Sequence, residues 1–242
     1  MTIVKGGRTN FGEPIGIIML DTVFPRIPGD VGNASTFPFP VRYRVVEGAS
    51  IRRVVQEADP GLLEPFIDAA RSLEREGVRA ISTSCGFLAI FHREMKRAVH
   101  VPLITSSLQQ VPMACSMIRE DQKVAVITAR AASLTERHFQ GVGIENIPLV
   151  VEGLDEAEEF NATIGANRPE GDMDRIREEV VAAALRVVKK HPEVGALVME
   201  CTNLPPYSRA VQDAVKLPVF DIVTLIRYTY SLVVSREYRG IM

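Results

Sequence analysis

Two of the three cysteines in this 242-residue chain stand where a thiol could do chemistry. Cys85 and Cys201 each follow an apolar run typical of a buried β-strand, and each precedes a predicted helix. The N–H groups and positive dipole end at a helix N-terminus favour a thiolate, and they can also hold a carboxylate. A thiolate can remove a proton from carbon and a thiol can return one. The sequence therefore predicts that Cys85 and Cys201 are proton-transfer groups.

An internal repeat places these cysteines at equivalent positions. Residues 78–85 align with residues 194–201 at an offset of 116 residues, the distance from Cys85 to Cys201. The same offset carries the X-Pro segment 101–104 onto 217–220. Two similar α/β halves explain this pattern economically. If the halves face each other about a pseudo-twofold axis, the two thiols approach one cleft from opposite sides, as inversion of a carbon centre requires.

The elements that must position the cysteines alternate between strand and helix along the chain. This alternation is typical of parallel sheets that are covered by helices on both faces. Helix starts are predicted at Asp59 with Pro60, at Ser133 and at Asp172, and Pro112 is expected to bend or delay the helix that contains it. The predicted strands cover residues 15–20, 41–45, 78–83, 101–105, 124–128 and 196–199, and further helices cover 87–98 and 108–118.

The predicted fold class is therefore α/β, with two pseudo-symmetric halves. Each half is a mostly parallel sheet flanked by helices, and the active-site cleft lies between the halves. Residues 1–106 together with 223–242 form the first half, and residues 107–222 form the second. Ligands of parallel α/β sheets bind beyond the carboxyl ends of the strands. Hydroxyl and amide groups near the cysteines are candidates for binding the substrate there: Thr83, Ser84, Gly86, Thr128, Thr202 and Asn203.

Composition narrows the classes of function. The chain has 28 Lys and Arg against 30 Asp and Glu, so it lacks the basic surface on which nucleic-acid binding depends. The early apolar run Ile15–Leu20 is too short for a membrane span or a signal peptide, so no membrane partner and a cytoplasmic location are expected. Three cysteines cannot all pair, and the four histidines lack the spacing of metal ligands, so neither a disulfide scaffold nor a metal site is expected. A homodimer or a higher homo-oligomer is left open.

Two segments resemble the aspartate/glutamate racemase superfamily, which also includes hydantoin racemases, maleate cis-trans isomerases and arylmalonate decarboxylases. They are residues 82–88, Ser-Thr-Ser-Cys-Gly-Phe-Leu, and residues 200–205, Glu-Cys-Thr-Asn-Leu-Pro. The resemblance implies two pseudo-symmetric α/β domains, no cofactor, and Cys85 and Cys201 as the pair that exchanges protons with the α-carbon. It also matches Thr128 to a threonine that ends a strand of the second half, and Asp21 to the polar residue that ends strand one.

The leading hypothesis is a cofactor-independent racemase or epimerase, an isomerase that acts on a small carboxylate compound. Its substrate would be an amino acid or derivative, similar to Asp or Glu, and two cysteines would transfer the proton at the α-carbon. Two alternatives remain open at this stage. One is a maleate-type cis-trans isomerase that uses the same cysteine pair, and the other is a non-catalytic protein that binds a small anion.

Overall fold

The computed structural model describes residues 3–238 and 240–241. Residues 1–2, 239 and 242, which the predicted first half includes, lie outside the described residues. Within the described part, strands arise mainly from short apolar runs whose side chains are buried on both faces. The strands are β1 (Ile15–Leu20), β2 (Val41–Val46), β3 (Ala80–Thr83), β4 (Leu103–Ile104), β5 (Lys123–Thr128), β6 (Leu149–Gly153), β7 (Val194–Met199) and β8 (Val219–Phe220).

These strands form two sheets with the same topology. The first has the order β2-β1-β3-β4 and the second the order β6-β5-β7-β8. Every pairing within them is parallel. Each strand therefore has a counterpart at the same place in the other half, β3 with β7 and β1 with β5. The predicted fold class, two α/β halves built on parallel sheets, is confirmed.

Helices connect the parallel strands, as crossover connections require. The long helix α6 begins where predicted, because the side chain of Asp172 accepts hydrogen bonds from the N–H groups of Asp174 and Arg175. The α-helices are α1 (Leu63–Glu76), α2 (His92–Ala98), α3 (Val111–Met117), α4 (Glu136–Val142), α5 (Glu158–Phe160), α6 (Met173–Lys190), α7 (Ser208–Val215) and α8 (Ile222–Val233). None of the described helices combines the length and the apolar character needed to cross a membrane.

One predicted helix start differs from the structure. The capping residue of α4 is Thr135, not Ser133, because Thr135 forms a reciprocal capping box with His138 while Ser133 ends a separate 3-10 turn. Pro112 delays its α-helix, which is one of the two effects predicted for it. The chain runs as a 3-10 helix through Gln110, and Pro112 then occupies the first turn of α3, where its missing N–H leaves no bond unmade.

The last helix returns to the first sheet. Ile222 and Ile226 of α8 are fully buried in one cluster with Ile15 and Ile17 of β1. A second cluster joins the halves, since it holds residues of β3 together with residues of β5 and β7. This packing agrees with a first half that is completed by the C-terminal segment, although the boundaries at residues 106 and 222 stay a prediction.

Candidate active site

Cys85 and Cys201 stand at the same point of their respective sheets. The N–H of Ser84 donates to the carbonyl of Ile18, and the N–H of Glu200 donates to the carbonyl of Ile127, each over 2.8 Å. These bonds continue the strand pairing one residue beyond β3 and β7. The next residue in each half is the cysteine, which therefore emerges at the carboxyl edge of the sheet, where ligands of parallel sheets bind.

Both sulfur-bearing side chains line one cavity between the two halves. It encloses about 640 Å³ of non-atom space, including its open mouth, and each cysteine is 8% exposed. Its wall is mostly apolar. The apolar side chains come from both halves and include Leu20, Phe24, Ile51, Val55, Phe87, Phe160 and Ile164, whereas Thr22, Arg26, Gln56, Arg130 and Asn161 supply polar groups.

Burial controls the acidity of Cys85. Desolvation, reinforced by the charge of Glu200, raises the pKa of Cys85 to about 12. The backbone N–H groups of Phe87 and Leu88 and the charge of Arg26 act in the opposite direction, but they are weaker. The helix N-terminal amides therefore favour the thiolate, as the sequence predicts, but they are not strong enough to lower the pKa of Cys85 below its ordinary value. The amides do face the sulfur, yet removal from water outweighs them.

Cys201 lies in a hydrogen-bonded chain that reaches across to the loop after β1. Its thiol donates to Asn203 Oδ1 over 3.6 Å, and Asn203 Nδ2 donates to Asp30 Oδ2 over 2.8 Å. The other oxygen of Asp30 pairs with Arg26 over 2.7 Å. Burial first and the charge of Glu200 second raise the pKa of Cys201 well above its ordinary value, against a hydrogen bond from the N–H of Asn203.

Glu200 is a fully buried acid that lies next to both cysteines. Its Oε2 accepts a hydrogen bond from Thr128 Oγ1 over 2.8 Å. Among the described residues its Oε1 has no hydrogen-bond partner. Burial raises the pKa of Glu200 to about 7, although the bond from Thr128 lowers it. Glu200 thus changes its charge near neutral pH, while the thiols beside it remain protonated.

The structure brings four of the seven predicted substrate-binding residues to the cavity. Ser84 and Gly86 line it from the first half, and Thr202 and Asn203 line it from the second. The two groups meet directly, because Thr202 Oγ1 donates to the carbonyl of Ser84. Whether these residues bind a substrate stays a prediction, but their positions around the two sulfurs are those that such a role requires.

Asp21, Thr83 and Thr128 are not among the described residues that line the cavity. Asp21 is exposed, and its carboxylate accepts from the N–H of Gly48 over 3.1 Å. Thr83 Oγ1 is buried and donates to the carbonyl of Thr105. Thr128 is buried too and donates to Glu200. All three side chains make hydrogen bonds within the protein, and whether they also contribute to binding a substrate stays a prediction.

Sequence reasoning missed several residues at the site. Phe24 and Arg26 come from the loop after β1, where nothing in the sequence singles out these two residues. Phe160 ends the short helix α5 and Asn161 follows it directly, and neither carries a recognisable signal in the sequence. Glu200 did have one, since an acid at the end of an apolar strand, directly before a candidate cysteine, contradicts the apolar pattern around it.

The chain matches the family model described as Asp/Glu/Hydantoin racemase over residues 46–226. It belongs to the Asp/Glu/hydantoin racemase family. The matched region contains both cysteines and six of the eight strands of the described structure, β3 to β8. Within the described residues, no group of three or more His, Cys, Asp or Glu side chains has the arrangement of a metal site.

The relatives and the solved structure that this chain resembles carry the names of different reactions. A dimethylsulfoniopropionate lyase of Durusdinium sp. clade D is 33% identical over 217 residues, covering 86% of this chain and 71% of the relative. Dimethylsulfoniopropionate lyase 3 of Emiliania huxleyi (strain CCMP1516) is 33% identical over 220 residues, 87% of this chain and only 57% of the relative. The allantoin racemase of Klebsiella pneumoniae superposes with a TM-score of 0.65 at 14% identity, over 90% of this chain and 87% of that one.

Proposed function

We propose that this racemase-family protein is a cofactor-independent enzyme that removes a proton from the carbon next to a carboxylate. The observation that carries the proposal is that Cys85 and Cys201, at equivalent strand ends, line the same cavity. One sulfur acts as the base, and the other can exchange a proton at the opposite face of the α-carbon. This chemistry is common to racemisation and to β-elimination, because both begin with loss of the α-proton.

For the substrate, we propose dimethylsulfoniopropionate or a close β-sulfonium carboxylate, as the names of the 33%-identical relatives suggest. A thiolate takes the α-proton, and the C–H electron pair forms a double bond between the α- and β-carbons. The bond from the β-carbon to sulfur breaks, and its electrons leave with neutral dimethyl sulfide. Acrylate remains. The step is redox-neutral and needs no partner beyond the base.

The apolar wall of the cavity supports elimination in particular. The sulfonium charge disappears as dimethyl sulfide leaves, and surroundings that solvate a cation poorly favour its disappearance. Phe24, Phe160 and Ile164 offer contacts for the methyl groups, and an aromatic face attracts the cation before it reacts. Arg26 and Arg130 both line the cavity and can attract the carboxylate, and the charge of Arg26 also acts on Cys85.

Racemisation or epimerisation of an amino-acid-like carboxylate is the second candidate. The pseudo-symmetric arrangement favours it, since inversion at carbon needs a base on one face and an acid on the other, and each half supplies one cysteine. Among the described residues that line the cavity there is no Asp or Glu side chain to pair with an ammonium group. The carboxylate of Asp30 is already paired with Arg26 and Asn203. For this reason we favour elimination over racemisation.

One experiment separates the candidates. The purified protein is incubated with dimethylsulfoniopropionate in deuterated water, with headspace gas chromatography for dimethyl sulfide and proton NMR for acrylate. We expect equal amounts of the two products, absent from a Cys85→Ala, Cys201→Ala double variant. No dimethyl sulfide, together with solvent deuterium at the α-carbon of amino acids or hydantoins, would instead establish the racemase. Binding of these carboxylates with neither reaction would refute both candidates and leave the anion-binding alternative.

A further inference from the structure

Two basic side chains, Arg26 and Arg130, line the cavity among the described residues, and their surroundings differ. Arg26 is largely enclosed, with 14% of its side chain exposed, and its guanidinium pairs with the carboxylate of Asp30 over 2.7 Å. It also donates to Thr22 Oγ1 over 2.9 Å, and it lies over the ring of Phe24. The charge of Arg26 is thus already matched by a carboxylate within the protein.

Asp30 makes Arg26 the weaker binding partner for a second anion. The side chain of Asp30 is only 4% exposed, and its oxygens also accept hydrogen bonds from the N–H of Gly32 and from Asn203 Nδ2. A substrate carboxylate beside Arg26 would lie close to this buried negative charge, and like charges repel strongly where little water screens them. Arg26 therefore supports the hydrogen-bonded chain from Asp30 through Asn203 to Cys201.

Arg130 has the opposite environment. It comes two residues after the end of β5, at the carboxyl edge of the second sheet, where ligands of parallel sheets bind. Arg130 is exposed, and its side chain forms no ion pair and no hydrogen bond with the described residues. It lines both the cavity and an adjoining outer hollow, which share Gln56, Asn161 and Gly165 as well. Its guanidinium therefore has all its donors available for a carboxylate, which it can bind through two parallel hydrogen bonds.

The other donors of the described cavity wall are neutral, and most of them are already bonded. The side-chain amide of Asn161 donates to backbone carbonyl groups of its own segment. The backbone N–H groups of Phe87, Leu88 and Asn203 are bonded to the two sulfurs. Gln56 carries no charge. Arg130 is therefore the strongest partner that this wall offers to a carboxylate.

We propose that Arg130 binds the substrate carboxylate and that the cavity selects monocarboxylates over dicarboxylates. The inference rests on the proposed function, and one free guanidinium matches one carboxylate. A second carboxylate would meet the apolar wall, the paired Arg26, or the acidic side chains of the outer hollow, which are Asp155, Glu156 and Glu158. Because the carboxylate is attached to the α-carbon, binding at Arg130 also holds the α-proton in the cavity that contains both sulfurs.

The test compares the binding of three compounds that have nearly the same shape and cannot eliminate. Isocaproate has a CH group in place of the sulfonium of dimethylsulfoniopropionate, isocaproamide lacks the carboxylate charge, and succinate has a second carboxylate in place of the two methyl groups. Isothermal titration calorimetry measures their dissociation constants. We expect the native protein to bind isocaproate about tenfold or more tightly than either of the other two, because only isocaproate has one carboxylate for one free arginine.

Matched variants make the result specific. Arg130→Gln should reduce the preference for isocaproate over its amide to about twofold or less, and Arg130→Lys, which keeps the charge but not the planar fork of donors, should retain part of it. Arg130 is exposed, so neither variant is expected to disturb folding. Arg137→Gln makes the same change at an exposed position of α4, outside the cavity, and should leave the three constants unchanged. Arg26→Gln should weaken binding of the acid and the amide to a similar extent, because it leaves Asp30 without its partner.

Three outcomes would overturn the proposal. They are an unchanged preference for isocaproate over isocaproamide in Arg130→Gln, loss of that preference in Arg26→Gln alone, and native binding of succinate as tight as that of isocaproate. Because none of the probes reacts, the result does not depend on turnover. A protein that binds isocaproate through Arg130 but releases no dimethyl sulfide would keep this inference and refute elimination. If dimethylsulfoniopropionate is turned over, Arg130→Gln should raise KM with a much smaller change in kcat.

Discussion

Burial controls the acidity of the individual ionisable residues at this site. Cys85, Cys201 and Glu200 are each at most 8% exposed, and burial is the largest cause of the raised pKa of every one. A thiol with a raised pKa is a stronger base once ionised, which suits the removal of a weakly acidic α-proton. The same burial makes ionisation of the free thiols rare.

We predict that removing either sulfur slows turnover. Cys85→Ala and Cys201→Ala should each lower kcat for dimethylsulfoniopropionate by about 100-fold or more, the usual contribution of a general base, with a much smaller change in KM. Steady-state kinetics with headspace detection of dimethyl sulfide measures this. The matched control is Cys115→Ala, which removes a thiol that packs on the core away from the cavity and should keep activity near the native value. Native kcat in either test variant would exclude that cysteine from the proton transfer.

The elements that matter most are the two short connections that follow β3 and β7. Each places its cysteine at the sheet edge through one extra pairing bond, and the two connections then pack against each other. Gly86 packs so closely against Glu200 that there is no room for a side chain at position 86. The glycine is therefore explained by the packing of two equivalent elements, because its φ is not positive.

For these elements we predict that Gly86→Ala is not tolerated. Its Cβ would lie 2.3 Å from a backbone oxygen, so one of the two connections must move, at a cost to the free energy of unfolding of about 1–3 kcal/mol. Urea unfolding followed by circular dichroism measures the change. Gly165→Ala is the control, since its nearest neighbour is an ordinary 3.4 Å away and the expected change is within about 1 kcal/mol. Equal stability of the two variants would contradict this account of the contact.

The molecule as a whole holds a buried acid at the junction of two similar halves. The halves are joined there by the hydrogen bond from Thr202 Oγ1 to the carbonyl of Ser84. The folded state thus buries a carboxyl group that the unfolded chain exposes to water. A group of this kind couples the stability of the entire fold to pH.

We therefore predict that stability falls as the pH rises through neutrality. The folded pKa of Glu200, about 7, lies above its ordinary value of 4.5, so its contribution is fully present below pH 4.5 and is lost as the pH rises through 7. Relative to Glu200→Gln, the native protein should lose up to about 3 kcal/mol of unfolding free energy between pH 5 and pH 8. Urea titrations of both proteins across this range measure the difference. Parallel curves would show that Glu200 does not titrate in the folded state.

The sequence by itself determined the fold class and the equivalence of the two halves. It also singled out the two cysteines as candidate catalytic residues. Apolar runs, their spacing and the 116-residue offset can all be read from the order of residue types along the chain. They predict parallel sheets without knowledge of tertiary contacts. Only the tertiary structure decided which neighbours reach the cavity. It turned Thr83, Thr128 and Asp21 toward internal bonds, and it brought Arg26 and Glu200 to the sulfurs. Side-chain direction at a strand end, and the desolvation that raises a pKa, depend on atoms distant in the chain, so no local pattern contains them.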